Sequence, residues 1–327
     1  MAGLSWKNHN VLVTGATGLL GSWLAEALLA RGANVTCLVR DQVPRSRLVS
    51  GGAIARVNVV QAPVEDFHAV LRALNEYEVE TVFHLAAQTI VGTASRSVLS
   101  TFEANIKGTW NVLEAARGLP QLVQRVVVAS SDKAYGEHAK LPYSEEAPLL
   151  GRFPYDASKA CAELLCASYA ASFGLPVVTT RCGNLYGGGD LNYSRIVPGT
   201  IRSALLGERP IVRSNGKLVR DYFYVEDAVA AYLHLAERVT AQGLAGQAFN
   251  FGTSEPKSVL EMVGLVLAAA GRPELEPVVQ NQASNEIERQ YLDCTKAREV
   301  LGWKPAFTLR EALARTVAWY REHEAGT

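Results

Sequence analysis

Asn10-Val11-Leu12-Val13-Thr14-Gly15-Ala16-Thr17-Gly18-Leu19-Leu20-Gly21 is an apolar run that stops at a glycine and reopens as a helical pattern. The five residues before Gly15 suit a buried strand. From Gly18 to Arg31, Leu20, Leu24, Ala27 and Leu28 recur on one side of a helix, and Gly32 ends it. Between strand and helix, the spacing Gly15-x-x-Gly18-x-x-Gly21 permits a tight turn and close approach of backbone to a pyrophosphate. The helix start adds free N–H groups and a partial positive charge. Such a glycine pattern is weak alone and gains weight from the elements on either side.

The alternation continues. Strands are predicted over 35–39, 57–60, 81–85, 126–129 and 177–180, and helices over 65–75, 97–117 and 157–173. Strands alternating with helices predict the α/β class, with a parallel sheet covered on both faces. After Gly183 the rhythm breaks. Gly187-Gly188-Gly189-Asp190 reads as a flexible loop, followed by helices at 196–206, 225–237, 258–270 and 309–320 and extended segments at 211–213 and 247–251. Residues 1–183 are therefore expected to form a dinucleotide-binding domain. Residues 184–327 are expected to form a smaller lobe, with some segments returning to the first domain.

Lys plus Arg equals Asp plus Glu at 32 each, so no charge bias points to nucleic acid or a membrane surface. Any phosphate binding rests on local groups. Five cysteines without a CxxC pair suggest reduced thiols and no metal site. The segment Met1–Asn10 lacks the apolar core of a signal peptide, and no long apolar run spans a bilayer, so a cytoplasmic location is expected.

Several positions carry candidate chemistry. The second strand ends Leu38-Val39-Arg40-Asp41. An acid there suits the ribose hydroxyls of NAD and an arginine the 2′-phosphate of NADP, so both cofactors stay open. Leu85-Ala86-Ala87-Gln88 ends the fourth strand with small side chains over which a dinucleotide fits, while His84, in an apolar run, reads as a core histidine. Ser131-Asp132-Lys133 follows the fifth strand, and Tyr155-x-x-x-Lys159 places two polar groups on one helix face. A phenol with an ordinary pKa near 10 is a poor base, and a nearby ammonium such as Lys159 favours its phenolate. Ser131 can bridge Tyr155 and a substrate hydroxyl. Together they suit removal of an alcohol proton as its hydride leaves to a nicotinamide.

Gly15-x-x-Gly18-x-x-Gly21, Ala86-Ala87, Asn105, Ser131, Tyr155-x-x-x-Lys159, Arg181-x-Gly183-Asn184 and Arg220-Asp221-Tyr222-Phe223-Tyr224-Val225 resemble the extended short-chain dehydrogenase/reductase family of nucleotide-sugar epimerases and dehydratases. Ser131-Asp132-Lys133 and Gly183-Asn184-x-x-Gly187-Gly188-Gly189-Asp190 look most like CDP-glucose 4,6-dehydratases. The resemblance implies a Rossmann-type doubly wound parallel sheet with a C-terminal substrate-binding lobe. It implies a tightly bound, recycled NAD or NADP held by Gly15, Thr17, Gly18, Leu19, Arg40, Leu85, Ala86, Ala87, Asn105, Tyr155 and Lys159. The implied substrate is a nucleotide-diphosphate sugar, contacted by Gln88, Ser131, Asn184, Val197, Arg220 and Arg289, with 191–198 lying over the nucleotide.

By the same resemblance Tyr155 is the base at the sugar C4 hydroxyl, Asp132 the acid at the departing C6 hydroxyl, and Lys133 the C5 base. A neutral Lys133 requires burial or a neighbouring cation, for which Lys159 is the candidate. The resemblance also implies a homodimer, formed through the helices over 97–117 and 157–173. Two positions depart from the family: Pro63 stands near its adenine-binding Asp, and Ala283 where it has a nucleotide-site Arg. Val39-Arg40 resembles the NADP-using GDP-mannose dehydratases. A 4-epimerase, needing neither Asp132 nor Lys133, is the main alternative. A 5,6-dehydratase and a non-catalytic dinucleotide binder are the others.

Overall fold

The computed structural model describes residues 4–240, 243–282 and 286–324, and Ala283 lies outside them. Six strands follow the predicted alternation: β1 (Asn10–Thr14), β2 (Asn34–Val39), β3 (Asn58–Gln61), β4 (Thr81–His84), β5 (Arg125–Ala129) and β6 (Val177–Cys182). They pair in parallel in the order β3-β2-β1-β4-β5-β6, and the strand Ala248–Phe251 joins in parallel outside β6. The order reverses between β1 and β4, which opens a crevice at the carboxyl ends of the strands.

Both faces of the sheet are covered, so neighbouring apolar residues of one strand enter different cores. Leu12, Val126, Val128 and Val177 pack with the helices Phe67–Glu76 and Gly108–Gly118. Val11, Val13, Val127 and Val178 pack with α1 (Leu19–Ala30) and the helices Val225–Arg238 and Leu309–Glu324. Thus Val225–Arg238 and Ala248–Phe251, late in the chain, build on the large sheet. The rest of the later chain carries short pairings. β7 (Asn184–Tyr186) pairs in parallel with Tyr222–Tyr224, and Val219–Arg220 lies between Lys257–Ser258 and Arg289–Gln290.

Three local expectations change. The helix over 97–117 is interrupted by a π-helical turn, Glu103–Lys107, between Val98–Phe102 and Gly108–Gly118. One wide turn barely alters apolar periodicity, so the sequence pattern does not register it. The helix over 157–173 begins earlier, at Pro154, whose fixed φ suits a first turn. Tyr155 and Lys159 therefore share it. Finally, the glycine loop is packed rather than flexible. A Cβ on Gly188 would strike the Trp319 ring, and Trp23 Nε1 donates to the Gly188 carbonyl at 2.8 Å. Asp190 is buried, pairs with Arg195 at 3.1 Å, and its carbonyl accepts from the Tyr320 hydroxyl at 2.7 Å.

Cys37, Cys166, Cys182 and Cys294 are buried free thiols, and Cys161 is a partly buried one. Among the described residues no helix is long and apolar enough to cross a membrane.

Candidate active site

β5 delivers its last residues to the crevice, and the chain turns there into a short 3₁₀ helix, Asp132–Tyr135. Ser131 caps that helix, its Oγ accepting from Lys133 N–H at 3.2 Å and donating to Asp132 Oδ1 at 3.1 Å. The Ser131 hydroxyl lies close enough to the Tyr155 phenol to favour its charged form. Burial pushes the Tyr155 phenol up to about 12, with Ser131 and Arg195 pulling down and Asp132 and Asp156 pushing up. Lys159 is also buried and donates to the Ala129 carbonyl at 2.7 Å. Burial brings it down to about 8, against the opposing charge of Glu163. Arg195 is a cation, unnoticed in the sequence, that pulls on the Tyr155 phenol.

Asp132 is 1% exposed, and burial pushes its carboxyl up although Lys133, Ser131 and Arg220 oppose this. Lys133 is pulled down by burial and then by Arg220, while Asp132, Glu286 and Asp156 hold it up. Both shifts favour the neutral forms, an acid that can give a proton and an amine that can take one. The cation that acts most on Lys133 is Arg220, from the Val219–Arg220 strand. Sequence spacing offered Lys159 because it lies on the Tyr155 helix, whereas Arg220 arrives only through tertiary folding. Asp156, unnoticed in the sequence, is buried beside this pair and pushed up to about 6 by burial. Its place directly after Tyr155 was the available signal.

The candidate cofactor residues meet at the β1–β4 crevice. Gly15 has φ +71°, and a Cβ there would lie 2.7 Å from Ala86 N, so only glycine lets the turn approach the end of β4. Ser22 Oγ donates to the Ala16 carbonyl at 2.9 Å and holds the turn. Gly18 precedes α1 without a side-chain cap, Leu19 begins the helix and Thr17 is half-buried. The first-turn N–H groups of a helix have no intrahelical acceptor. With the half-buried row Leu85, Ala86, Ala87 and Gln88, this cradle fits a dinucleotide pyrophosphate. Arg40 is exposed and paired with Asp41 at 2.7 Å.

A buried polar chain ties the crevice to the Tyr155 helix. Leu85 N–H and Ala86 N–H donate to Thr14 Oγ1, each at 3.1 Å, which leaves that hydroxyl to donate to His84 Nδ1 at 2.8 Å. His84 Nε2 then donates to Thr109 Oγ1 at 3.1 Å, and Thr109 donates to the Asn105 carbonyl at 2.6 Å. Burial pulls His84 down to about 3, so it is neutral. Asn105, inside the π-turn, accepts from Gln88 N–H at 2.7 Å and donates to Ser158 Oγ at 2.8 Å. Its side chain thereby joins the end of β4 to the helix that carries Tyr155.

The candidate substrate residues are more scattered. Asn184 is half-buried on β7, its N–H donating to the Asp221 carbonyl at 2.7 Å. Arg220 is buried and paired with Glu286 at 3.1 Å. Arg289 is exposed, 5.8 Å from the Tyr291 ring. Val197, in the first turn of the helix Ile196–Leu206, is buried in the core. Gln290, also unnoticed in the sequence, is fully buried and donates from Nε2 to the Asp132 carbonyl at 2.8 Å. A separate cleft of about 740 Å³, lined by Trp23, Arg47, Arg315 and Trp319 among others, includes neither Ser131, Asp132, Lys133 nor Tyr155.

A doubly wound sheet with Ser131, Tyr155 and Lys159 gathered at its carboxyl edge defines an enzyme of the extended short-chain dehydrogenase/reductase class. Within that class the chain belongs to the NAD dependent epimerase/dehydratase family, which it matches over residues 11–252. It is 30% identical to the CDP-glucose 4,6-dehydratase of Salmonella typhimurium over 97% of this chain and 91% of that protein. The dTDP-glucose 4,6-dehydratase of Streptomyces venezuelae, solved with NAD, superposes with a TM-score of 0.85 at 28% identity, covering 97% of this chain and 98% of that one. The UDP-glucose 4-epimerase of Thermotoga maritima, solved with UDP-glucose, gives a TM-score of 0.85 at 29% identity, covering 96% and 99%.

Proposed function

We propose that this chain is an NAD-dependent nucleotide-sugar 4,6-dehydratase acting on a CDP-glucose-like substrate. The observation that carries the reading is the pair Asp132–Lys133, both shifted toward their neutral forms beside Ser131 and Tyr155. Epimerisation at C4 has no use for such a pair. Dehydration needs both members. The similarity to a CDP-glucose 4,6-dehydratase along nearly the whole chain supports the same choice.

NAD, held by the glycine turn and the end of β4, would supply the oxidant for C4 and the hydride for C6. Tyr155, with Ser131, takes the C4 hydroxyl proton, and charged Lys159 eases formation of the phenolate. The C4 ketone acidifies the C5 proton, which neutral Lys133 accepts. Asp132 gives its proton to the C6 oxygen, the C6–O bond breaks and water leaves. Gly15, Thr17, Gly18 and Leu19 hold the cofactor pyrophosphate, with Leu85, Ala86, Ala87 and Asn105 shaping its seat. Asn184 and Arg220 hold the substrate diphosphate, where a planar guanidinium suits phosphate oxygens. Residues 1–183 supply most of the cofactor domain, and the short strands after residue 184 supply the substrate lobe. Exposed Leu99, Trp110 and Leu164 on the outer helices support a homodimer.

The deciding experiment offers CDP-, dTDP-, UDP- and GDP-glucose and identifies the products. A 4-keto-6-deoxy sugar is expected, and clean C4 inversion without water loss overturns the reading. Asp132→Asn should keep C4 oxidation and slow water loss roughly 100-fold or more. Normal turnover of that variant removes Asp132 as the acid. Tyr155→Phe should nearly abolish turnover on every sugar.

A further inference from the structure

Gln290 lies on the Arg289–Gln290 strand of the second lobe, in register with Arg220, and is 0% exposed. Its Nε2 donates to the Asp132 carbonyl at 2.8 Å. A carbonyl only accepts, so the amide nitrogen must face it and Oε1 must point elsewhere. Gln290 Oε1 has no donor among the described residues. Neither has Asp132 Oδ2, on the residue Gln290 touches. Buried polar atoms in native proteins are nearly always paired, so two unpaired oxygens on adjoining residues mark a place for a ligand group. A single group placed between them would complete both. A hydroxyl donates through its O–H to Gln290 Oε1 and offers a lone pair to the proton of Asp132. A methyl group or a ketone does not.

Resting on the dehydratase reading, we propose that Gln290 binds the departing C6 hydroxyl, accepting its O–H while Asp132 protonates its oxygen. In the step concerned, Lys133 takes the C5 proton and the C5–H electron pair becomes the C5=C6 bond. The C6–O bond breaks, and the oxygen takes the proton of Asp132 and leaves as water. As that oxygen gains a proton its O–H becomes a stronger donor. The bond to Gln290 therefore strengthens toward the transition state, the condition for it to raise kcat rather than only improve binding. Gln290 on this account touches the substrate, and it also selects sugars with a hydroxyl at C6.

The test compares wild type with Gln290→Met, which keeps length but loses both the acceptor and the Nε2 donor to the Asp132 carbonyl, so the fluoride control separates the two losses. CDP-glucose and its 6-deoxy-6-fluoro analogue are the substrates, and fluoride has no O–H to donate. C4 oxidation is followed separately by reduced-cofactor absorbance on mixing. Expected are water loss slowed roughly 10- to 100-fold, C4 oxidation within about two-fold of wild type, and a much smaller loss with fluoride. Equal losses on both leaving groups, or no loss on either, overturn the proposal. If Gln290→Met fails to fold, as judged by thermal melting, the wild type with the 6-O-methyl ether of CDP-glucose decides. Methanol loss should be at least about ten-fold slower than water loss, and equal rates overturn the proposal. Wild-type C4 inversion without dehydration would overturn the dehydratase reading itself. Intact wild-type dehydration with equal losses in the variant overturns only the role of Gln290.

Discussion

Lys159 illustrates the conflict between function and stability at a single residue. Burial takes its ammonium from an ordinary 10.5 down to about 8, so the folded protein carries an unfavourable buried charge at neutral pH. The folded-state pKa lies below the unfolded one. Between pH 8 and 10.5 the unfolded chain therefore binds more protons, and stability rises with pH. Below pH 8 the full penalty remains, about 3 kcal/mol by the size of the shift. Lys159→Met should raise Tm at pH 7, the gap closing toward pH 10.5, while C4 oxidation is lost. A lower Tm at pH 7 in thermal denaturation would show that the Ala129 hydrogen bond outweighs the buried charge. Ser131, Tyr155 and Lys159 were legible in the sequence because their spacing and strand-end position are local. Arg220 was legible only as a substrate contact and Gln290 not at all, since each comes to this turn from a strand remote in the chain.

The Tyr155 helix is fixed to the sheet by one buried ion pair. Arg181 on β6 and Glu163 meet at 2.7 Å with both side chains under 10% exposed. Ser130 donates to the same carboxylate, and Arg181 also donates to the Tyr135 hydroxyl at 2.7 Å. The Tyr135 hydroxyl in turn donates to Asn250 Oδ1 at 2.7 Å, so the network spans β6, the Ser131 turn and the outermost strand. Breaking one side of such a pair leaves a buried charge. Glu163→Gln should therefore cost about 3–5 kcal/mol in urea denaturation. The double change Glu163→Gln with Arg181→Met should recover part of that loss, and a neutral single variant would show that the pair adds nothing. Helix and strand periodicity predicted both elements but not their partnership. The π-turn around Asn105 escaped for a related reason: its function lies in bonds to Gln88 and Ser158, neither of which periodicity encodes.

At the scale of the molecule, the outer helices present Leu99 at 74% exposure and Leu164 at 65% on the face away from the sheet. A homodimer through this face predicts that Leu164→Arg shifts the protein to monomer in analytical ultracentrifugation. A wild type that sediments as monomer would overturn the assembly. The amino-acid order alone determined the parallel α/β sheet, the glycine turn and the Ser–Tyr–Lys set. Each depends on contacts between residues close in sequence or on apolar periodicity, and both are local properties. Only the tertiary structure decided what surrounds Asp132 and Lys133. Arg220, Asp156 and Gln290 converge there from separate elements, and the burial that shifts a carboxyl and an amine toward neutrality exists only once those elements have packed.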